Sequence, residues 1–214
     1  MNYERLYQYR FRNIDQDARD AVWSEIAPFI YGVLGEPDAV LDPAAGRGEF
    51  INHVPARERW AVDMVSYPEG THAPGTKVIV SDIFDAELPR CHFDGIWVSN
   101  FLEHLLSQEQ VATFLEKMHG CLKPGGRLAV MGPNFRYCSK DYFNCADHTL
   151  ALTHGAVTEH LYAAGFEPEL EVARFLPYSF RSKLPPSVAG TRRYLKMPIA
   201  WRFLGKQFLV VGRA

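Results

Sequence analysis

Three aspartates, each closing an apolar run about one strand-and-crossover repeat after the last, are the residues of this 214-residue chain best placed to do chemistry together. Asp42 ends the run Ala39-Val40-Leu41, and Gly46 and Gly48 open a turn just after it, into a short helix predicted to start near Glu49. Asp63 stands near the end of RWAVDMV at 59–65, and Asp82 near the end of KVIVSDIFD at 77–85. Glycines after a strand let backbone approach a ligand closely. An acid there with only two glycines fits a pyrophosphate poorly, because anionic oxygens want three spaced glycines and free helix-end N–H groups. A cationic, hydroxyl-rich ligand suits it better. In that reading Asp63 accepts hydrogen bonds from two ribose hydroxyls and Asp82 accepts from an adenine amino group. The plainer reading makes the glycines a tight connection and Asp63 a solvated acid capping the next turn.

A second group of residues could move a proton. Ser99 and Asn100 end a fourth apolar run, and Glu103 and His104 follow directly. In an open parallel sheet that strand end faces the ligand crevice, which makes His104 the first candidate base. The alternative is a histidine hydrogen-bonded to backbone or to Glu103. His148, beside Asp147, is the second candidate, as a base with an orienting carboxylate or as a loop fastener. Asp147, His148 and His154 form an incomplete ligand set, so no metal is expected. Tyr137, Tyr142, Arg181 and Lys183 are candidates to shape an acceptor pocket.

The elements that must position these residues follow from periodicity. Residues 1–13 hold Tyr3, Tyr7, Tyr9, Arg10, Phe11 and Arg12, a density that predicts packing rather than a free leader. Ala18, Val22, Ile26, Phe29, Ile30 and Val33 recur at helical spacing between Asp15 and Leu34, with Pro28 a potential kink. Helices are expected after each of the first strands, another over 111–122 stopped by Lys-Pro-Gly-Gly, and another over 154–167 stopped by Gly165. Strands follow at 127–134, near 169–178 and at 206–213. The order αβαβαβαβαβαββ predicts an α/β fold, a doubly wound, Rossmann-like sheet of seven strands, mostly parallel with an antiparallel last strand.

Composition agrees with an ordinary globular chain, at 47% hydrophobic and 22% charged. It reads as one domain over 1–214, divided into a flap and helix at 1–35, a cofactor-binding core at 36–171, and basic strands with a substrate-side insertion at 172–214. No apolar run approaches the roughly 20 residues of a membrane span, and the start of the chain is aromatic and charged rather than signal-like, which points to the cytoplasm. The four cysteines form no CxxC pair and read as free thiols. All 25 acids lie at or before Glu171, while nine Lys or Arg and no acid follow from Arg174 on. That tail reads as a solvated face, a dock for an anionic or phosphorylated small molecule, or a contact with an anionic membrane surface. No nucleic-acid-binding module is recognisable. The oligomeric state is not legible.

The segments LDPAAGRGEF, AVDM, VSDIFD, SNFLEHL and CLKPGGRLAVMGPN, with a helix ending in AAGF before the last strands, resemble the class I S-adenosylmethionine-dependent methyltransferases over nearly the whole chain. The RFR segment, GPNFRYC, DHTLALT, RFLPYSF and GKQFLVV are similar to a type 11-like bacterial subgroup associated with glycan or secondary-metabolite biosynthesis. The resemblance implies S-adenosylmethionine as cofactor. It places Ala44, Gly46 and Gly48 along the methionine part and Asp42 near the ammonium. Asp63, with Met64 beside it, takes the ribose, Asp82 with the Ile83 backbone takes adenine, and Ser99 and Asn100 lie near the sulfonium. Tyr7, Arg10 and Phe11 resemble a flap over the cofactor, with Arg10 set against the methionine carboxylate. One departure stands out: the family has glycine where this chain has Ala44, so a narrowed backbone and lowered affinity are expected there. The function implied is methyl transfer to a small molecule, most simply a hydroxyl of a sugar or biosynthetic intermediate. A non-methylation reaction on the same fold and a non-catalytic binding protein are the rivals.

Overall fold

The computed structural model describes residues 2–12, 14–178 and 187–214. Arg181 and Lys183 lie outside the described residues. Two helices come first, α1 (Tyr3–Phe11) and α2 (Gln16–Val33). Four strands follow, β1 (Ala39–Asp42), β2 (Glu58–Asp63), β3 (Thr76–Val80) and β4 (Phe93–Ser99). A 3-10 turn at Leu102–His104 leads to α3 (Gln108–Cys121), β5 (Leu122–Pro133), α4 (Phe135–Tyr142), α5 (His154–Ala163) and β6 (Glu167–Val172). The chain closes through α6 (Val188–Leu195), α7 (Pro198–Leu204) and β7 (Gln207–Arg213).

The sheet runs β3-β2-β1-β4-β5-β7-β6. All pairs from β3 to β5 are parallel, and β7 is antiparallel to both neighbours. The predicted sheet is therefore present, with its antiparallel strand last in sequence. Strand order reverses between β1 and β4, and the crevice beyond that switch point is where such sheets take ligands. Alternation along the strands explains why both faces are covered. Leu41, Ile96, Val98, Leu128 and Val130 pack with Phe114, Leu115 and Met118 of α3 and Val157 and Leu161 of α5. Val40, Trp97, Ala129 and Met131 pack with Trp23, Ile26, Ala27 and Ile30 of α2.

The helices differ from expectation more than the strands. No helix forms after the glycine turn: residues 46–53 are successive turns, with isolated helical bonds such as Asn52 N–H to the Gly48 carbonyl at 2.9 Å. Gly48 at φ +82° sets that course, since the left-handed region suits a turn and not a helix start. The β2–β3 and β3–β4 connections are likewise turns and bends. The first, residues 64–75, is rich in Pro and Gly, while the second, residues 81–92, holds Pro89 and is pinned in turns by Asp82 and by Lys117 on three of its carbonyls. Helix α2 continues through Pro28 without a break. Its N-cap Asp15 accepts the Ala18 N–H at 3.0 Å. α6 and α7 fall between the last two expected strands, where the sequence analysis assigns no element. α6 is tied to α2 by Arg192, which donates to Glu25 at 2.8 and 2.5 Å.

Candidate functional site

The three aspartates converge at the carboxyl edge of the sheet. Asp42 is 3% exposed and its carboxylate accepts the Ala44 N–H at 3.3 Å. Burial holds this carboxyl well above the usual range, and Glu49 and Asp63 push the same way. Asp63 accepts the Gly46 N–H at 2.7 Å through one oxygen and the Val65 N–H at 2.8 Å through the other. Burial raises its carboxyl too, against those two hydrogen bonds. Asp82 is exposed and accepts the Phe84 N–H at 3.0 Å. The turn behind it is pinned by Lys117, which donates to the carbonyls of Ile83, Phe84 and Ala86 at 2.6, 3.0 and 2.8 Å.

Gly46 stands at φ +54° and Gly48 at φ +82°. A Cβ on Gly48 would lie 2.9 Å from Asn52 and His72. Asn52 cannot easily yield, because it donates to the Thr71 carbonyl at 3.0 Å and accepts the Ala73 N–H at 2.7 Å. Ala44 is different. It is not among the positive-φ residues, so its methyl adds no backbone strain, which removes the physical reason for expecting a weakened loop.

At the end of β4, Asn100 takes φ +49°, a conformation its short polar side chain tolerates, and its N–H donates to the Met131 carbonyl at 2.8 Å. The chain then turns through 102–104 and is fastened to the loop at 145–150. The N–H groups of Thr149 and Leu150 donate to the Glu103 carbonyl at 2.9 and 3.2 Å. This fastening brings His104 and His148 together, ring centroids 4.9 Å apart. His104 Nδ1 lies 3.0 Å from the Asp147 carbonyl and so carries the donated proton, which in a neutral ring puts the lone pair on Nε2. Tyr142 packs its ring on His148, with centroids 4.8 Å apart. Burial lowers the His148 imidazole to about 4, and His104 adds to it, so His148 is neutral and a weak base. Burial raises Glu103 to about 7, offset in part by His104.

Arg10 of α1 donates to the carboxylate of Asp147. Burial alone would raise that carboxyl, yet the guanidinium outweighs it and holds it low. In this structure Arg10 is thus the partner of a protein acid rather than a group left over for a ligand carboxylate.

A cleft of about 700 Å³ joins these parts. Tyr7, Arg10, Phe11, Asp42, Ala44, Gly46, Asp63, Met64, Asp82, Ile83, Ser99, Asn100, His104 and His148 all line it. Gly48 does not; it shapes the turn from behind. Tyr142 is fully buried, donating to the Leu150 carbonyl at 2.7 Å, and Tyr137 stacks on His154, so neither lines the cleft. His154 points elsewhere, 2.9 Å from Asn134. Glu103 and Tyr67 line the cleft and were not singled out as site residues from sequence. An acid inside the apolar run Phe-Leu-Glu-His-Leu was the available signal for Glu103, whereas Tyr67 lies in a loop with no pattern.

Residues 41–130 match the model of the type 11 methyltransferase-domain family. Over this stretch the chain is similar to a methyltransferase domain. The match begins at the last residues of β1 and ends inside β5, so this domain contains all three strand-end aspartates and His104. No curated relative matches the chain. Among solved structures, a SAM-dependent methyltransferase from Archaeoglobus fulgidus is similar over 100% of both chains, with a TM-score of 0.68 and 19% identity. The N-methyltransferase NodS from Bradyrhizobium japonicum, in complex with S-adenosyl-L-homocysteine, has a TM-score of 0.61 and 16% identity over 86% of this chain and 83% of its own. A 1,6-didemethyltoxoflavin-N1-methyltransferase from Burkholderia thailandensis has a TM-score of 0.59 and 18% identity over 99% and 88%. These likenesses are of fold.

Proposed function

We propose that the methyltransferase domain binds S-adenosylmethionine along Asp42, Asp63 and Asp82 and transfers its methyl group to an oxygen of a small acceptor beside His104. The observation that carries this reading is that one cleft is lined both by Asp42, Asp63 and Asp82 and by Glu103, His104 and His148. Solved structures of similar fold are described with S-adenosylhomocysteine bound and, in one of them, with 1,6-didemethyltoxoflavin as well.

The donor set fits this cofactor. Asp42 and Asp63 put buried negative charge where an ammonium and a ribose diol would meet it, and that combination repels phosphates. Asn100 Oδ1 is buried with no hydrogen-bond partner among the described residues and is available to a ligand donor. When bound, the cofactor supplies an electrophilic methyl on a sulfonium. The acceptor oxygen's lone pair forms the new C–O bond, and the C–S pair stays on sulfur. Because positive charge disappears in this step, the protein's task is alignment and exclusion of water more than charge stabilisation. Tyr7 and Phe11 of α1 form part of the cleft wall. A hydroxyl acceptor also loses a proton, and His104, with Nδ1–H held by the Asp147 carbonyl, is the group placed to take it on Nε2.

Among the described residues no Lys or Arg from Arg174 on lines the cleft, and Arg192, Lys206 and Arg213 pair with Glu25, Asp141 and Glu169, so the charge of the acceptor is left to the assay; the reading places the work in the cytoplasm. Among the described residues no helix is long and apolar enough to cross a membrane. The test is incubation with methyl-labelled S-adenosylmethionine and a panel of sugars, sugar phosphates, phenols and amines, reading S-adenosylhomocysteine release and a gain of one methyl by mass. Release with a hydroxyl acceptor supports the reading. Transfer confined to amines overturns the oxygen assignment, and an altered acceptor without methyl gain overturns methyl transfer.

A further inference from the structure

The acceptor end of the cleft holds more lone pairs than a base requires. Glu103, His104 and His148 each offer one ligand atom, and these atoms lie within 4.8 Å of one another. Two atoms on these residues are buried with no hydrogen-bond partner among the described residues: Glu103 Oε1 and His148 Nδ1, on residues only 2% and 9% exposed. A buried polar atom left unpaired costs about 1–3 kcal/mol, more for a charged group. Two such atoms in one cluster mark a place that lacks a donor or a cation. His104 Nδ1 is held by the Asp147 carbonyl, as the second nitrogen of a metal-bound imidazole is, so Nε2 is the atom it has to offer. Asp147 itself is paired with Arg10 and stands outside the set.

We propose that Glu103, His104 and His148 bind a divalent first-row transition ion that holds the acceptor's oxygen in the cleft. Two imidazole nitrogens and one carboxylate suit an ion of the zinc, cobalt or manganese class better than magnesium or calcium, which prefer oxygen throughout. Three protein ligands leave at least one position open, the arrangement of a catalytic rather than a structural ion. Bonds of about 2.1 Å hold neighbouring donors roughly 3.3–4.2 Å apart, so closure from the observed spacing requires side-chain movement of less than about 1 Å. The ion's role rests on the methyl-transfer reading, while its binding does not. In the loaded protein the acceptor hydroxyl binds the ion and its proton leaves to water. The oxygen pair then forms the C–O bond as the C–S pair returns to sulfur. With the ion bound, His104 is a ligand and the ion activates the hydroxyl; the base role of His104 belongs to the ion-free protein.

The experiment is titration of the chelator-treated, tag-free chain with Co²⁺ by calorimetry and visible absorption, without S-adenosylmethionine and with Mg²⁺ as competitor. The expected result is one Co²⁺ per chain, with d–d bands of four- or five-coordination that Mg²⁺ does not displace. Glu103→Gln and His148→Gln each weaken binding at least tenfold, and His154→Ala leaves it unchanged. Thermal shifts with S-adenosylhomocysteine, run on the same samples, show which variants remain folded with an intact nucleoside site. Absence of stoichiometric Co²⁺ binding, or binding untouched in both folded variants, overturns the metal site and leaves methyl transfer standing. Binding of Co²⁺ without any S-adenosylhomocysteine shift has the opposite meaning.

Discussion

Arg10 of the first helix pairs with Asp147, 137 residues further on, and so ties the amino-terminal segment to the loop that carries His148. Their side chains are only 15% and 3% exposed. Removing one partner from a buried pair leaves the other charge stranded. Arg10→Ala is therefore expected to destabilise the chain by about 3 kcal/mol or more, and adding Asp147→Asn to it recovers more than about 1 kcal/mol of that loss. Urea unfolding of the two single variants and the double variant checks this. Additive losses would show that the pair is not coupled.

The two glycines of the turn carry different loads from Ala44. Gly48→Ala meets both a left-handed φ and the clamped Asn52, and is expected to cost about 1–3 kcal/mol. Ala44→Gly relieves no strain and is expected to change S-adenosylmethionine affinity less than about threefold, under about 0.7 kcal/mol. Calorimetry on the Ala44 variant and thermal melts on the Gly48 variant test the pair of statements. A large affinity gain in Ala44→Gly would restore the view that alanine impairs the loop.

Asp42 gives a pH dependence with a definite sign. Its folded carboxyl is held well above the unfolded value of about 3.9, so the folded state favours the proton. Stability from this group is fully present below about pH 4 and is lost as pH rises through the folded value. Asp42→Asn removes that loss. The variant is expected to be more stable than the parent at pH 8, with the difference vanishing at pH 4, and to bind S-adenosylmethionine at least about tenfold more weakly for want of the carboxylate, about 1.4 kcal/mol. Unfolding midpoints from pH 4 to 8 decide it; a pH-independent difference contradicts the assignment.

His104 and His148 differ in chemistry although their rings touch. With an acceptor found by the release assay, His104→Ala is expected to lower turnover by about 10²- to 10⁴-fold while the S-adenosylhomocysteine affinity changes little. A variant that keeps turnover would remove His104 from the reaction.

Much of the nucleoside side of the cleft was legible in the sequence because it is local. An apolar run ending in an acid reports a strand end wherever it occurs, and three of them in succession report one edge of a parallel sheet. The acceptor side was not. Glu103 meets His148 only because Thr149 and Leu150 donate to its carbonyl, and Arg10 meets Asp147 only after the whole sheet has formed. No periodicity encodes such pairings. The crossover helices expected after β1 and β2 failed for a local reason, since Gly48 at φ +82° and the Pro- and Gly-rich stretch 66–75 divert the chain into turns, whereas after β3 it is the distant Lys117 that pins the turn.

Calorimetric titration of the purified chain with S-adenosylhomocysteine, alongside Asp63→Asn, tests the central claim most directly. Asp63 both fastens Gly46 and faces the cleft, so the account predicts one site on the parent protein and affinity reduced at least about tenfold in the variant, about 1.4 kcal/mol. The same affinity in both, or no binding to the parent, would contradict it.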